Sequence, residues 1–340
     1  MMPSIAVCMA TYEPDVELFT KQYRSIREQT HGDFVCIVSD DASTPARARA
    51  IERACAEDGR FRFIAHRDRV GYYRNFERCL ALVPPDVGFV ALSDQDDVWH
   101  PDKLETLTRS FTSARVRLAY ADMAIVSTEG ELLAPSYWTD RVNNHTDLAS
   151  LLLVNTVTGA ASLFRRELLE VALPFPTVPG EPFHDHWLAC VALALGELAF
   201  VDRPLHDYVQ HGANIVGRHE PLPGELRGGL VNAFSRFARS PRRRIRNTVR
   251  WAQRYYEDEV RVREAFARAL RERLRGRLHA EAAEAIDRVA DMSTSNRSLL
   301  WLLGRSARDV RGNSPTLGIE NQLIKGIVWH RLRSRTARTL

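Results

Sequence analysis

Residues 89–104 read F-V-A-L-S-D-Q-D-D-V-W-H-P-D-K-L. The apolar run Phe89–Leu92 predicts a buried strand, cut off by Asp94, Asp96 and Asp97 before Pro101 opens a helix. Three carboxylates at the carboxyl end of a strand form a hard-oxygen site suited to Mg²⁺ or Mn²⁺. In open α/β sheets, ligands bind at that same edge. From these residues alone, a solvated acidic turn capping the next helix reads equally well.

On either side of this stretch, apolar strands alternate with helix-like segments. Strands are predicted at 5–10, 34–39, 61–65 and 87–92, with helices at 16–29, 45–58, 73–82 and 101–111. That alternation predicts an α/β fold: a mostly parallel, Rossmann-like sheet with helices on both faces. Further strands are predicted at 117–120, 123–127, 158–164 and 198–202, and helices at 148–155, 167–172 and 186–195. The Thr128–Glu131 turn signal leads into a short strand at 132–133. Four prolines between 174 and 182 mark a loop. Beyond Gly212 the chain becomes rich in Arg, Glu and Ala at helical spacing, with Trp251, Tyr255, Val260 and Phe266 on a broadly apolar face. Two regions are therefore expected, an α/β domain over 1–217 and a basic, mainly helical region over 218–340.

The composition is that of a soluble globular chain of 340 residues, 45% hydrophobic and 26% charged, with a net charge of +4. The charge is uneven: eight arginines and no acid lie between Arg236 and Arg254, whereas the Asp clusters lie in the first half. Lysine occurs only at 21, 103 and 325, a bias that a GC-rich coding genome explains before any chemistry does. Cys8 and Cys36 lie in strand-like runs as small hydrophobes, and five cysteines without C-x-x-C spacing fit a reducing cytosol. Neither a signal peptide nor a membrane-spanning helix is expected.

Three clusters follow predicted strands directly: Thr11-Tyr12-Glu13 after the first, Asp40-Asp41-Ala42-Ser43 after the second, and Ser93 to Asp97 after the fourth. In a parallel sheet all three line one edge, which favours one shared site over three unrelated turns.

In order along the chain, V-C-M-A-T-Y, V-S-D-D-A-S, V-G-Y-Y-R-N-F, L-S-D-Q-D-D-V-W, F-H-D-H-W-L and Q-H-G-A-N-I-V-G resemble a family 2 glycosyltransferase of the GT-A fold over residues 3–217. The last two, with S-D-Q-D-D-V-W, are most similar to the rhamnosyltransferase branch that builds bacterial surface polysaccharides. The resemblance implies an inverting, metal-dependent hexosyltransferase using a dTDP- or UDP-sugar and a glycan or lipid-linked acceptor. It implies Asp96 as the ligand of Mg²⁺ or Mn²⁺, with Asp94 on the ribose or the metal, and His211 as a further metal or diphosphate contact. His211 would close over the donor from a loop hinged at Gly212 and Gly217. Asp97 is either functional or a cap for its loop.

On the same resemblance, Asp40 and Asp41 read the base, one of them also serving an Asx-type turn. Thr11, Tyr12 and Glu13 frame base and ribose, and Gly71, Arg74 and Asn75 lie under the nucleotide; Arg74 reads equally as a surface cation. Gln95 and Trp187 belong to the same donor set. Asp185 matches the general base, against the plainer reading of a helix N-cap. His184 stands where the family usually carries Glu, which leaves open how the acceptor is held.

The Arg236–Arg254 cluster reads as a solvated helical face, as a surface for anionic lipid, or as a nucleic-acid site. Attachment to an anionic membrane is favoured, with the protein cytoplasmic and peripheral. Nucleic acid is not expected, since no helix-turn-helix, finger or RNP pattern accompanies the charge. Two other classes compete with the transferase, a non-catalytic binding protein of the same fold and a nucleotidyltransferase. The second would want a Gly- and Arg/Lys-rich phosphate loop where T-Y-E-P-D stands.

Overall fold

Strand β1 (Ile5–Thr11) is apolar on both faces and almost wholly buried, as a central parallel strand must be. The computed structural model describes residues 4–138, 143–180, 182–212, 250–309, 316 and 318–336. β1 pairs in parallel with β2 (Phe34–Asp40) on one side and with β4 (Phe89–Ser93) on the other, and β2 pairs with β3 (Phe61–Ala65). The chain runs β1 to β2 to β3 outward, then returns to place β4 on the far side of β1. The reversal opens a crevice beyond the carboxyl ends of β1 and β4, where Thr11 and Ser93 end their strands.

The helices between these strands form for local reasons. α1 (Val16–Arg27) is capped by Asp15, whose side chain accepts from the Glu17 and Leu18 amides, and it buries Leu18, Phe19, Tyr23 and Ile26. α2 (Pro45–Cys55) opens on proline, where no amide partner is needed. α3 (Tyr72–Leu80) follows Gly71, whose φ of +83° suits glycine. α4 (Lys103–Arg109) follows the acidic loop and the two-residue strand β5 (Val98–Trp99).

The sheet's second half is mixed. β8 (Ser162–Arg165) runs antiparallel to β4 and to β6 (Val116–Val126), and β6 pairs in parallel with β9 (Glu197–Val209). β7 (Leu132–Ala134) adds to β6, and β5 closes the far edge on β9. The α/β class and its flanking helices agree with the sequence; the first four strands form one parallel block, and β6 with β9 adds a separate parallel pair. The two strands predicted at 117–120 and 123–127 are one, irregular in register around Asp122, which takes Met123 N and Tyr137 N on its side chain. β9 runs seven residues past its predicted end at 202. Its polar residues and Pro204 hid it, and Pro204 sits at the register shift opposite Asp122, where a ladder tolerates proline.

Contacts divide the chain into two units. The first holds the sheet, and the second gathers 149–154 and 176–182 with the residues from 213 onward. Thus most of α5 (Leu148–Leu153) belongs with the C-terminal helices: Arg263 Nε donates to Leu153 O and Arg305 to Ser150 Oγ. The helices Arg261–Arg273, Ala280–Ala290, Asn296–Asp309 and Ile319–Thr336 bury Phe266, Ile286, Leu302 and Ile327 among others. Val260 and Phe266 are buried as the apolar face predicts, while Trp251 is exposed and stacks on Tyr255. The 217/218 boundary, Gly217 and the arginines from 236 to 246 lie outside the described residues. No helix among the described residues is long and apolar enough to cross a membrane. All five cysteines are free and buried.

Candidate active site

At the carboxyl ends of β1 and β2, short polar side chains tie the loops together. Thr11 Oγ1 donates to Asp40 Oδ1 at 2.9 Å, and Asp40 also accepts Ser43 N at 2.9 Å and Ser43 Oγ at 2.6 Å. Asp41 takes Val70 N and Gly71 N, one on each carboxylate oxygen, at 2.9 and 2.8 Å. Both carboxylates are buried and fully engaged in loop structure. Asn75, also buried, bonds Ser39 at both its carbonyl and hydroxyl, joining α3 to β2. Arg74 is held by Glu77 and by Phe175 O. Glu13 adopts φ +43°, and its carboxylate accepts from Thr44 N and Oγ1, so it caps α2 rather than standing open to a ribose.

Across the crevice, Gln95 splints β1's exit to the acidic loop. Its Oε1 accepts Tyr12 N at 2.8 Å and its Nε2 donates to Tyr12 O at 3.3 Å. The Tyr12 ring is partly exposed and lies 3.8 Å under the Arg69 guanidinium, a cation–π pair that no motif announced. Gln22 of α1 was equally unannounced: its amide donates to Ser93 Oγ and Asp94 O from inside the core.

The acidic loop is crowded with like charge. Burial first, then Asp96 and Asp185, push the Asp94 carboxyl up to about 7. Burial also raises Asp96, against a hydrogen bond from His211 that lowers it; His211 Nε2 and Asp96 Oδ2 are 2.9 Å apart. β9 delivers His211 to this place: Gln210 N donates to Val126 O, and His211 is the next residue. Asp97 is fully buried, with its Oδ1 accepting Val209 N, so it faces the core and does not line the crevice.

α7 (His184–Leu195) begins two residues earlier than predicted, which puts Asp185 in its first turn and makes Phe183 the N-cap. Asp185 Oδ1 accepts Asn155 Nδ2 at 3.0 Å and His186 N at 2.6 Å, and Oδ2 accepts Gly159 N at 3.1 Å. Burial nonetheless lifts its carboxyl to about 6, against the backbone amides of Gly159, His186 and Asp185 itself, which lower it. His184 stacks on Phe76 at 3.7 Å with neither ring nitrogen hydrogen-bonded, and burial depresses its pKa to about 3, so the ring is neutral. Trp187 corrects the sequence reading: it is fully buried, and its indole N–H donates to Ala172 O, which makes it core and not a donor contact.

Gly159 is required by this packing. A Cβ there would lie 2.8 Å from His184 Nε2 and 3.2 Å from Asp185 Cβ. Gly159→Ala must therefore push the His184 ring aside and shift Asp185 by a few tenths of an ångström, and kcat is expected to fall about 10- to 100-fold with nucleotide affinity unchanged. Steady-state kinetics beside calorimetric nucleotide binding check this, and an unchanged kcat would refute the positioning.

Residues 6–173 match the family described as Glycosyl transferase family 2. That stretch is a family 2 glycosyltransferase domain. Among curated relatives of the chain, an uncharacterized glycosyltransferase of Nostoc sp. is 26% identical over 221 residues, 62% of this chain and 66% of that protein. An uncharacterized protein of Mycobacterium tuberculosis is 31% identical over 128 residues, 37% of this chain and 38% of its own length. The chain thus spans less than two thirds of either relative. Among solved structures, S. aureus TarS 1–349 in complex with UDP-GlcNAc superposes with a TM-score of 0.57 at 13% identity, covering 99% of this chain and 92% of that one. That likeness gives the GT-A fold.

Proposed function

We propose that this glycosyltransferase moves a hexose, with rhamnose the favoured sugar, from a dTDP- or UDP-sugar to a hydroxyl of a glycan or lipid-linked saccharide. Transfer proceeds with inversion, assisted by Mg²⁺ or Mn²⁺, in the assembly of a surface polysaccharide. One observation carries the reading: Gly159, whose amide holds Asp185, packs against Leu92 at the end of β4, so a base candidate and the acidic loop meet at one end of the sheet.

The residues fit a divalent ion. Asp96 and His211 offer a carboxylate oxygen and an imidazole nitrogen at one place, Asp94 stands beside them, and burial has crowded negative charge there. Among the described residues no three His, Cys, Asp or Glu side chains converge as a closed cage. Such an ion is ordinarily held by one or two carboxylates plus substrate phosphates and water. When bound, it would neutralise the charge that grows on the leaving diphosphate.

The chain's own groups do the rest. Asp185 accepts the proton of the acceptor hydroxyl as that oxygen bonds the anomeric carbon and the bond to the diphosphate breaks. Gly159 N and Asn155 hold the carboxylate aimed, and the buried, neutral His184 supports the same turn without competing for the proton. Tyr12 offers a ring face for the base. Asp40, Asp41, Gly71 and Asn75 act through the loops they fix, which set the shape of the nucleoside pocket.

A thermal-shift screen of UDP-, dTDP- and GDP-sugars with and without Mn²⁺ tests the reading. A UDP- or dTDP-sugar at about 100 times its Kd should stabilise the fold by about 2.7 kcal/mol, several degrees in Tm, and only with the metal. Equal shifts without metal, or a response to GDP-sugars alone, would overturn it. Stabilisation without turnover would favour the non-catalytic binding protein.

A further inference from the structure

In a chain that carries almost all its positive charge on arginine, Lys21 and Lys325 are exposed, whereas Lys103 is 0% exposed. Nothing in the transfer chemistry uses it. Burying an ammonium costs several kcal/mol unless its surroundings compensate. Here Nζ donates to Ala160 O and lies 4.0 Å from the Trp99 ring centroid. Burial pulls its pKa down to about 7, with Asp97 and then Asp94 pulling it back up.

Asp97 is buried just as deeply. Its Oδ2 has no hydrogen-bond partner and lies 3.8 Å from Nε2 of His206, which is also fully buried with both ring nitrogens unpartnered. Apolar residues would pack this spot at lower cost, so a buried cation with buried carboxylates calls for a role other than stability. The placement supplies one. On one side Lys103 lies over the Trp99 ring, two residues past Asp97 at the end of the acidic loop, and feels the charge of Asp97 and Asp94 without contacting either. Asp97 in turn holds Val209 N, two residues before His211. On the other side its Nζ donates to the Gly159–Ala161 turn, whose first amide holds Asp185. A compact ammonium with a single carbonyl to meet suits the place, whereas a guanidinium fork would need more room and more acceptors.

We propose that Lys103 is a positioning cation that keeps the Asp94–Asp97 loop in register with the Gly159–Ala161 turn, and so holds the metal-binding carboxylates in register with Asp185. The inference rests on the metal reading above. Asp97, through its bond from Val209 N, is assigned a positioning role in the same core.

The test uses the full chain with Mn²⁺ and UDP as probes, in Lys103→Met, which keeps chain length and drops the charge. With far-UV circular dichroism unchanged, Mn²⁺ affinity at saturating UDP should weaken about tenfold or more, the scale of losing an outer partner of a metal site. A merely structural lysine would lower Tm and leave the Mn²⁺ affinity of the folded protein as it was, and that result would overturn the proposal. Should the variant fail to fold, Lys103→Met with Asp97→Asn removes the uncompensated carboxylate but not the missing tie to Ala160. That double variant should still bind Mn²⁺ about threefold or more weakly, and wild-type affinity in it would overturn the proposal too. Wild-type protein that bound no Mn²⁺ would instead bring down the metal reading, and this inference with it.

Discussion

Asp185→Asn should lower kcat by about 10²–10⁴-fold, the usual worth of a general base, while UDP or dTDP binding in the presence of Mn²⁺ stays within about twofold. Asparagine keeps the shape, and its Oδ1 can still accept from Asn155 and the His186 amide, so two of the three bonds that hold the turn survive while the proton acceptor and the Gly159 N bond are lost. The wild-type pH profile follows from the same carboxylate. Its pKa is raised to about 6, chiefly by burial, so the acceptor of the proton is present above that value and protonated below it. Activity should fall with unit slope as pH drops through about 6, and the residual activity of the variant should lack that limb. Stability moves the other way. A folded pKa above the unfolded value of about 3.9 favours the fold below the unfolded value, and the contribution is lost as pH rises through about 6. The asparagine variant should therefore fold at least as well as wild type at pH 7.5. An acid limb that persisted unchanged in the variant, or full activity, would remove Asp185 from the base role.

The parts of this site that the sequence made legible are those written in short contiguous motifs. Phe89–Leu92 ends in carboxylates, three such strand ends recur, and F-H-D-H-W-L opens a helix, so period and punctuation located Asp94, Asp96 and Asp185. What stayed hidden depends on which side chains find one another. Asp40 and Asp41 could stand open to a base or close on their own loops, and no spacing distinguishes an Asp that meets Ser43 and Gly71 from one that meets a ligand. Trp187 shares a motif with Asp185, yet two residues along a helix turn a side chain about 200° around, from the crevice to Ala172. β9 was cut short because Arg203 to Tyr208 read as polar, although pairing with β6 and β5 satisfies their backbone and carries the chain to His211. Asn155, Gly159 and Gln22 act through one to three hydrogen bonds each, which leave no periodic trace. Lys103 left only a compositional one, a lysine where the chain otherwise writes arginine.

Asp96→Asn should raise the stability of the metal-free protein and abolish its response to metal. Burial raises the pKa of Asp96, and Asp96 and Asp185 help to lift Asp94 to about 7. At pH 7.5 Asp94 is mostly ionised at the cost of the fold, since a raised folded pKa is a contribution lost as pH rises through it, and burial opposes the charge on Asp96 in the same sense. Neutralising Asp96 relieves the cluster on both counts, while an asparagine oxygen can still accept from His211, whose Nε2 now lies 2.9 Å from Asp96 Oδ2. A gain of about 1 kcal/mol would move Tm up by about 2–4 °C, the pattern of a site whose charge serves function at the expense of stability. The same change removes the hard anionic oxygen that a divalent ion needs, so the Mn²⁺-dependent shift with UDP should disappear and transfer should fall about 10²-fold or more. The two signs together are the diagnostic. A structural helix cap at Asp96 would lower Tm on substitution and leave any metal response in place. Differential scanning fluorimetry of wild type and Asp96→Asn, with EDTA and with Mn²⁺ plus UDP, separates the two, and a lower Tm with a retained Mn²⁺ shift would return the acidic loop to a solvated turn.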